Sequence, residues 1–393
     1  MTQEKSQGKR VLLMGSIMQL FLGIIYVWSV FTIPVSEYWS KDLRLTSSFM
    51  LCCFVLGILT GGKIQLKFGA SKIVLIGGLM LAGGMLLTSI IPTGLPWLIY
   101  LTYGIIGGFG VGMGYNAIIT CAQKWFPEKR GFATGIAVCT FGFSTVIFAP
   151  LVDQLVKAMG VINTFRTLGV IFCVATLILH RIIYFPADIA PISSNAVTMA
   201  EQKQYTTSEM LKTKQYYLIA GSMMLFTASY FILNPSFKTF AIERNLAERI
   251  GTMIVQITGL ANAAGRLIIP ILADKIGREK ATFSIIAATT IFTGTLSFAT
   301  GGLFVISIAV VAFCYGASSG VYPLITSEYF GLKNVGSNYG MVMVAFMISA
   351  MLFPIIIGGF DASIKFIILA TMAAVSGLFI ILLSTSKKKM TRS

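Results

Sequence analysis

Apolar runs of about 20 residues recur along the whole chain and are broken by short polar stretches. Each run is long enough to cross a hydrocarbon core of about 30 Å. The pattern predicts twelve spans, at roughly 11–34, 46–66, 72–92, 96–123, 131–156, 163–184, 214–234, 247–272, 280–300, 302–326, 336–358 and 363–385. The runs are too long and too continuous for barrel strands. Helices are then the spanning element that satisfies its own backbone in lipid. The one long polar stretch runs from Pro186 to Lys214, with two prolines and a Ser-Ser-Asn run. It reads as a linker. The expected organisation is an all-α membrane protein of twelve transmembrane helices: a six-helix bundle at 1–185, a cytoplasmic linker at 186–213 and a second six-helix bundle at 214–393.

Composition agrees with this pattern. Of 393 residues, 56% are hydrophobic and 11% charged, and the mean hydropathy is +0.83. No soluble domain of this length has such a balance. The formal net charge of +16 could point to nucleic acid, but its distribution follows membrane topology. With the N-terminus inside, 21 of the 30 lysines and arginines fall on the cytoplasmic side and 8 outside. That bias puts both termini in the cytoplasm and explains the basic charge as membrane topology, so no nucleic-acid partner is expected. The basic run Lys387–Lys389 reads as a stop at the anionic leaflet. Six cysteines in or beside apolar spans lack metal spacing, and no cofactor or metal is expected.

The two halves repeat. Lys67-Phe68-Gly69 recurs as Lys275-Ile276-Gly277, 208 residues later, while Trp125-Phe126 recurs as Tyr329-Phe330 and Pro150 as Pro354, both 204 residues later. Such parallel repeats characterise one class of secondary transporter. In span 4, Gly104, Gly108 and Gly112 step by four. They form a small-residue stripe for helix packing, not a dinucleotide loop.

The thirtieth cation is Arg266, which lies well inside span 8. It cannot shed its proton. A charge at that depth costs about 2.5–3.5 kcal/mol on insertion scales and normally faces a cavity or a partner. Gly259, Asn262 and Arg266 share one helix face. Span 8 has no acid near Arg266 for it to pair with, so an exchangeable anion is the natural counterion. The competing reading is a structural arginine that snorkels about 12 Å towards Asp274. His180, the single histidine, sits at the cytoplasmic end of span 6. With no titratable group expected in the pocket, anion exchange or facilitated passage fits better than proton symport.

The loop Asp274-Lys275-Ile276-Gly277-Arg278-Glu279-Lys280 resembles the D-K/R-x-G-R-x-K/R loop of the major facilitator superfamily. The same loop after span 2 keeps Lys67 and Gly69 but has Leu66 where the acid would stand. The stretch from Gly110 to Asn116, the run from Lys124 to Gly135, Tyr26-Val27-Trp28, and Asn338-Tyr339-Gly340 are similar to the oxalate/formate antiporter family. This resemblance implies the major facilitator fold and an antiporter or related carrier of small carboxylates in a bacterial or archaeal inner membrane that works by alternating access, as a monomer. Oxalate-exchanging members use a cation on helix 8 and another on helix 11, boxed by aromatic rings. Arg266 matches the first, and Phe346 stands where the second would be. Tyr26 and Tyr115 match wall positions, and Tyr315 replaces a tryptophan. Ile25, Ser319 and Met343 replace a glutamine, a tyrosine and a tryptophan. In the related monocarboxylate transporters an aspartate precedes the helix 8 arginine by four residues, and here that position is Asn262.

One guanidinium matches one carboxylate, so the expected substrates are monocarboxylates of the formate, acetate, pyruvate or lactate class. Two alternatives remain: oxalate/formate exchange, or carriage of an unrelated solute with Arg266 structural. An enzyme is not expected, because the sequence offers one histidine, no metal-ligand cluster and little mass outside the spans.

Overall fold

The computed structural model describes residues 2–43, 45–186, 203–233 and 248–390, with side chains for all of these except 2–5, 248–253, 255 and 387–390. Arg44, Lys238, Arg244, Arg392 and linker residues 187–202 lie outside the described residues. So do the side chains of Lys5, Arg249 and Lys387–Lys389, all of which enter the charge count above.

Among the described residues, nine helices are long and apolar enough to cross a membrane. Two of them are double. Thr46–Thr88 bends at Gly69 (φ 78°) into α2 (46–68) and α3 (70–88). Arg130–Ile182 bends at Gly160 (φ 78°) into α5 (130–159) and α6 (161–182). Left-handed backbone of this kind is what glycine supplies cheaply. The other spans are α1 (Ser6–Trp39), α4 (Tyr100–Trp125), α7 (Lys214–Leu233), α8 (Glu248–Ile276), α10 (Gly301–Phe330), α11 (Val335–Ile357) and α12 (Ala362–Met390). A further helix, α9 (Arg278–Thr295), begins with three charged residues and is otherwise apolar. It completes the twelve. Helix α3 stops four residues earlier than expected because Pro92, Gly94 and Pro96 form the following turn. A short helix, Thr207–Leu211, lies inside the expected linker. Thr206 caps it, and Glu209 returns a bond to the Thr206 backbone.

The chain divides into two compact units, Met1–Gln204 with Gly331–Gly340, and Tyr205–Phe330 with Met341–Ser393. In the first, α4 packs tightly on α2 and α3. A methyl group at Gly57 would overlap the Phe109 carbonyl oxygen, and one at Gly112 would overlap that of Phe54. Close backbone approach of this kind replaces the hydrophobic drive that lipid cannot supply. The first turn of α11 packs into the same unit. Asn116 Nδ2 donates to the carbonyls of Ile58 (2.7 Å) and Gly336 (2.8 Å).

The second unit repeats the glycine contacts. Gly265 lies against the Phe313 carbonyl and Gly316 against that of Asn262. On α8 the equivalent residues stand 208 positions after their α2 counterparts, and on α10 they stand 204 after those of α4. These are the two offsets of the sequence repeat. Polar groups then stitch α7 to its neighbours. Ser222 Oγ bonds Tyr322 OH (3.0 Å) and Ser376 Oγ (2.9 Å), and Thr227 Oγ1 donates to Ser349 Oγ (3.0 Å).

The two glycines of α8 are expected to behave differently. Gly265→Val drives a side chain into the α10 backbone, at a cost of about 1–3 kcal/mol or more. Gly259→Val adds a side chain where no heavy atom lies within 4 Å. In detergent, the purified Gly265→Val protein should melt several degrees lower or fail to accumulate, and the Gly259→Val protein should melt like the parent.

Candidate functional site

The stretch Ala261-Asn262-Ala263-Ala264 is helix-favouring apart from Asn262. It carries Arg266 into the second unit, where the residue is 3% exposed. One turn earlier, Asn262 Oδ1 accepts from Arg266 Nε at 2.8 Å. Asn262 Nδ2 in turn donates to the hydroxyl of Tyr230 on α7 (3.4 Å). The Tyr230 ring stacks flat on Tyr315 of α10, with centroids 3.8 Å apart and planes at 9°. Phe231 meets both Tyr315 (5.8 Å) and Phe346 (4.9 Å) edge-on, and Phe346 lies 6.5 Å from Tyr315. Such rings gain from offset and edge contacts beyond their buried area.

Four of the expected residues, Arg266, Asn262, Tyr315 and Phe346, therefore belong to one connected group. Ser319 is half-buried on α10 and turns its hydroxyl back to the Gly316 carbonyl (2.7 Å). Tyr26 and Tyr115 belong to the first unit. There both rings meet Phe141, at 5.4 and 4.7 Å, and Phe54 adds to the group at 5.3 Å from Tyr115. Buried Gln19 donates to the Tyr115 carbonyl (3.2 Å), which makes it a helix–helix bond.

Sequence reasoning missed Tyr230 and Phe231, and also Phe54 and Phe141. A signal for the first was present. Tyr230 stands 204 residues after Tyr26, the offset that relates the other repeat marks. The other offset of the repeat, 208, matches Phe54 to Asn262 and Ile58 to Arg266 in sequence. The repeat thus duplicates the aromatic wall but not the charge.

The loop between α8 and α9 shows the same asymmetry. Gly277 (φ 92°) makes the turn from α8 to α9. Arg278 donates to Glu328 at the end of α10 (2.6 Å), with Asp274 3.6 Å away. Tyr329 donates to Glu279, and Lys275 is exposed. In the first unit Gly69 makes the equivalent bend and Lys67 is exposed. There Ala70 replaces Arg278, and Lys124 replaces Glu328. Lys124 instead sits 4.1 Å from the Phe185 ring, a cation–π contact, and Trp125 Nε1 donates to the Tyr184 carbonyl (2.8 Å). His180, at the end of α6, is half-buried beside Ser71, whose hydroxyl lies 3.1 Å from Nδ1 and donates to the His180 carbonyl (2.8 Å).

Among the described residues no group of three or more histidines, cysteines or acids is placed to hold a metal. What the second unit offers is a permanent cation, oriented by a neutral amide and joined to an aromatic wall. Such a group can bind and release an anion, and it offers no proton to transfer.

The family model described as Major Facilitator Superfamily matches residues 11–354 and 219–393. The chain is 28% identical over 367 residues to an uncharacterised MFS-type transporter, YhjX, of Escherichia coli, covering 89% of this chain and 88% of that protein. It is 27% identical to the oxalate:formate antiporter of Oxalobacter formigenes (84% and 79% covered), and 22% identical to monocarboxylate transporter 12 of Xenopus laevis (84% and 77%). Among solved structures, the transporter FucP in its outward conformation superposes with a TM-score of 0.74 at 14% identity, over 95% of this chain and 98% of that one.

The Arg278–Glu328 pair is only partly exposed, so its loss should cost more than that of a surface pair. Glu328→Ala is expected to destabilise the protein by about 1–2 kcal/mol, between the surface and buried limits. The double swap Arg278→Glu with Glu328→Arg should recover part of that loss. Thermal melts of the purified variants read both.

Proposed function

The chain belongs to the Major Facilitator Superfamily, and from that premise we propose that it carries small organic anions, chiefly monocarboxylates of the formate, acetate, pyruvate and lactate class. Membership makes it a multi-pass membrane transporter, not an enzyme. In this reading the carrier works as a monomer by alternating access, and it exchanges anions or passes them down their gradient. It sits in a bacterial or archaeal inner membrane with both termini cytoplasmic, its six-helix repeats at 1–185 and 214–393 joined by the linker 186–213.

The observation that carries the reading is the guanidinium of Arg266, the one buried charge among the described side chains, held by the neutral Asn262. Arg266 pairs with the carboxylate. Asn262 orients it. Tyr315 and Phe346, with Tyr26, Tyr115 and Ser319 from the resemblance, bound the solute. The loop Asp274, Lys275, Gly277 and Arg278, with Lys67 and Gly69, serves the conformational cycle. Similarity to the oxalate:formate antiporter and to a monocarboxylate transporter supports an anionic cargo.

The first of those relatives also favours a second reading, exchange of oxalate for formate. A dianion would leave one carboxylate desolvated without a partner, at a cost of about several kcal/mol. Helix α11, from Val335 to Ile357, contains no lysine or arginine to meet it. The monocarboxylate reading therefore ranks first.

The test is counterflow in proteoliposomes that contain the purified protein and are preloaded with formate. Labelled formate or lactate is expected to enter and labelled oxalate is not. Arg266→Ala should fall to the level of protein-free vesicles while inserting normally. Entry of oxalate would move the assignment to the second reading. Movement of no carboxylate would leave Arg266 a structural residue.

The pH dependence follows from the groups involved. Arginine stays charged up to pH values above about 12, and a carboxylic acid of pKa about 4 is ionised throughout the neutral range. KM, expressed as anion concentration, should stay constant between pH 6 and pH 8. An uncoupler should leave uptake unchanged, and abolition of uptake would indicate proton coupling.

A further inference from the structure

We infer that Tyr230 is a positioning residue for the anion site: its hydroxyl sets the orientation of the Asn262 amide, and through that amide the plane of the Arg266 guanidinium. The inference rests on the carboxylate reading above and names a residue that reading does not require.

An asparagine amide has one accepting end and one donating end. Arg266 can use only the accepting end, because a guanidinium has donors alone. Turned over, the amide would aim N–H at N–H, and the bond to Arg266 would become a repulsion. Arg266 Nε, which can only donate, fixes the sense of the half-buried amide by donating to Oδ1 at 2.8 Å. Tyr230 OH accepts from Nδ2 at the other end and so holds the rotation of the amide plane. The phenol is itself held in place by its ring, which lies flat on Tyr315 at 3.8 Å.

The backbone of Asn262 is fixed as well. Its carbonyl abuts Gly316 of α10, the helix that carries Tyr315. Helices α7 and α10 thus each contribute one member, and α8 two, to a chain that runs from stacked rings to phenol to amide to guanidinium. The amide occupies the Nε edge of Arg266. A carboxylate pairing with two nitrogens of that guanidinium therefore meets its Nη edge, at an angle that Tyr230 ultimately sets. In the first repeat Tyr26 occupies the place of Tyr230, but Phe54 stands where the amide would be. The relay is confined to the repeat that holds the charge.

The bond from Asn262 to Tyr230 is long, at 3.4 Å, so its removal should have a graded effect. Tyr230→Phe keeps the stacked ring and deletes one oxygen. In formate counterflow it is expected to raise KM about three- to tenfold, the range that corresponds to one net hydrogen bond, with Vmax within about twofold of the parent. Asn262→Ala should raise KM by at least as much. Adding Tyr230→Phe to Asn262→Ala should then raise it no further, because the hydroxyl acts through the amide. Tyr230→Leu, which also loses the stack, should in addition lower the melting temperature.

A KM unchanged in Tyr230→Phe, or a full further rise in the double variant, would overturn the inference. A fall in melting temperature without a change in KM would do the same, since that marks a purely structural tyrosine. If Tyr230→Phe does not reach the membrane, Asn262→Ala and Asn262→Leu read the relay from the amide, and parental KM in both overturns it. If the parent protein carries neither formate nor lactate, the carboxylate reading fails first and the positioning role falls with it. Parental transport with an unresponsive Tyr230 leaves the carboxylate reading intact.

Discussion

A guanidinium held away from water sets the layout of the second unit. Arg266 cannot be discharged, so its neighbours must compensate for it, and each element around it contributes something specific. Helix α8 places Asn262 one turn before the charge. Helix α7 brings Tyr230 to the other end of the amide. Helix α10 can come close enough to carry Tyr315 into the group because Gly316 and Gly265 leave room for opposing carbonyls. A larger residue at either glycine would separate the helices that hold the two ends of the chain of contacts. The packing glycines are thus part of the site, although they touch no solute.

Comparison of the two repeats separates what the fold needs from what the chemistry needs. Both repeats use glycine–carbonyl contacts at equivalent positions, both bend at an equivalent glycine in the loop after their second helix, and both carry a tyrosine on the first helix of the repeat. These are demands of helix packing in lipid, where polar and apolar forces between helices are both weak and close contact must substitute. The charged features occur once. Arg266 corresponds to Ile58 in the first repeat, and the pair Arg278–Glu328 corresponds to Ala70 and Lys124. Lys124 uses an aromatic ring where its counterpart has an ion pair. Loop ends that are alike in backbone are therefore secured by different forces.

Much of the fold was legible in the sequence because a membrane leaves few choices. A run of about 20 apolar residues in lipid has to be a helix. The span count, the internal repeat and the family resemblance follow from that constraint and from the residues quoted for each. Arg266 stood out because a charge at that depth is costly and rare. Asn262 was legible from its spacing, since residues four apart on a helix are neighbours. Tyr230 was overlooked because an aromatic residue in an apolar span carries no local sign of whether it packs on lipid, on another helix or beside a polar group.

The sequence by itself determined the class of protein, the repeat, the lone buried cation and the neutral residue beside it. Each of these depends on local periodicity or on the cost of a single group in hydrocarbon. The tertiary structure alone decided that Tyr230 meets the amide of Asn262, that Tyr315 lies flat against Tyr230, and that Glu328 answers Arg278 across 50 residues. Those contacts join helices far apart in the chain. No local pattern encodes them, because the distance between two helices is set by side chains elsewhere along their length, here the glycines that let one backbone rest against another.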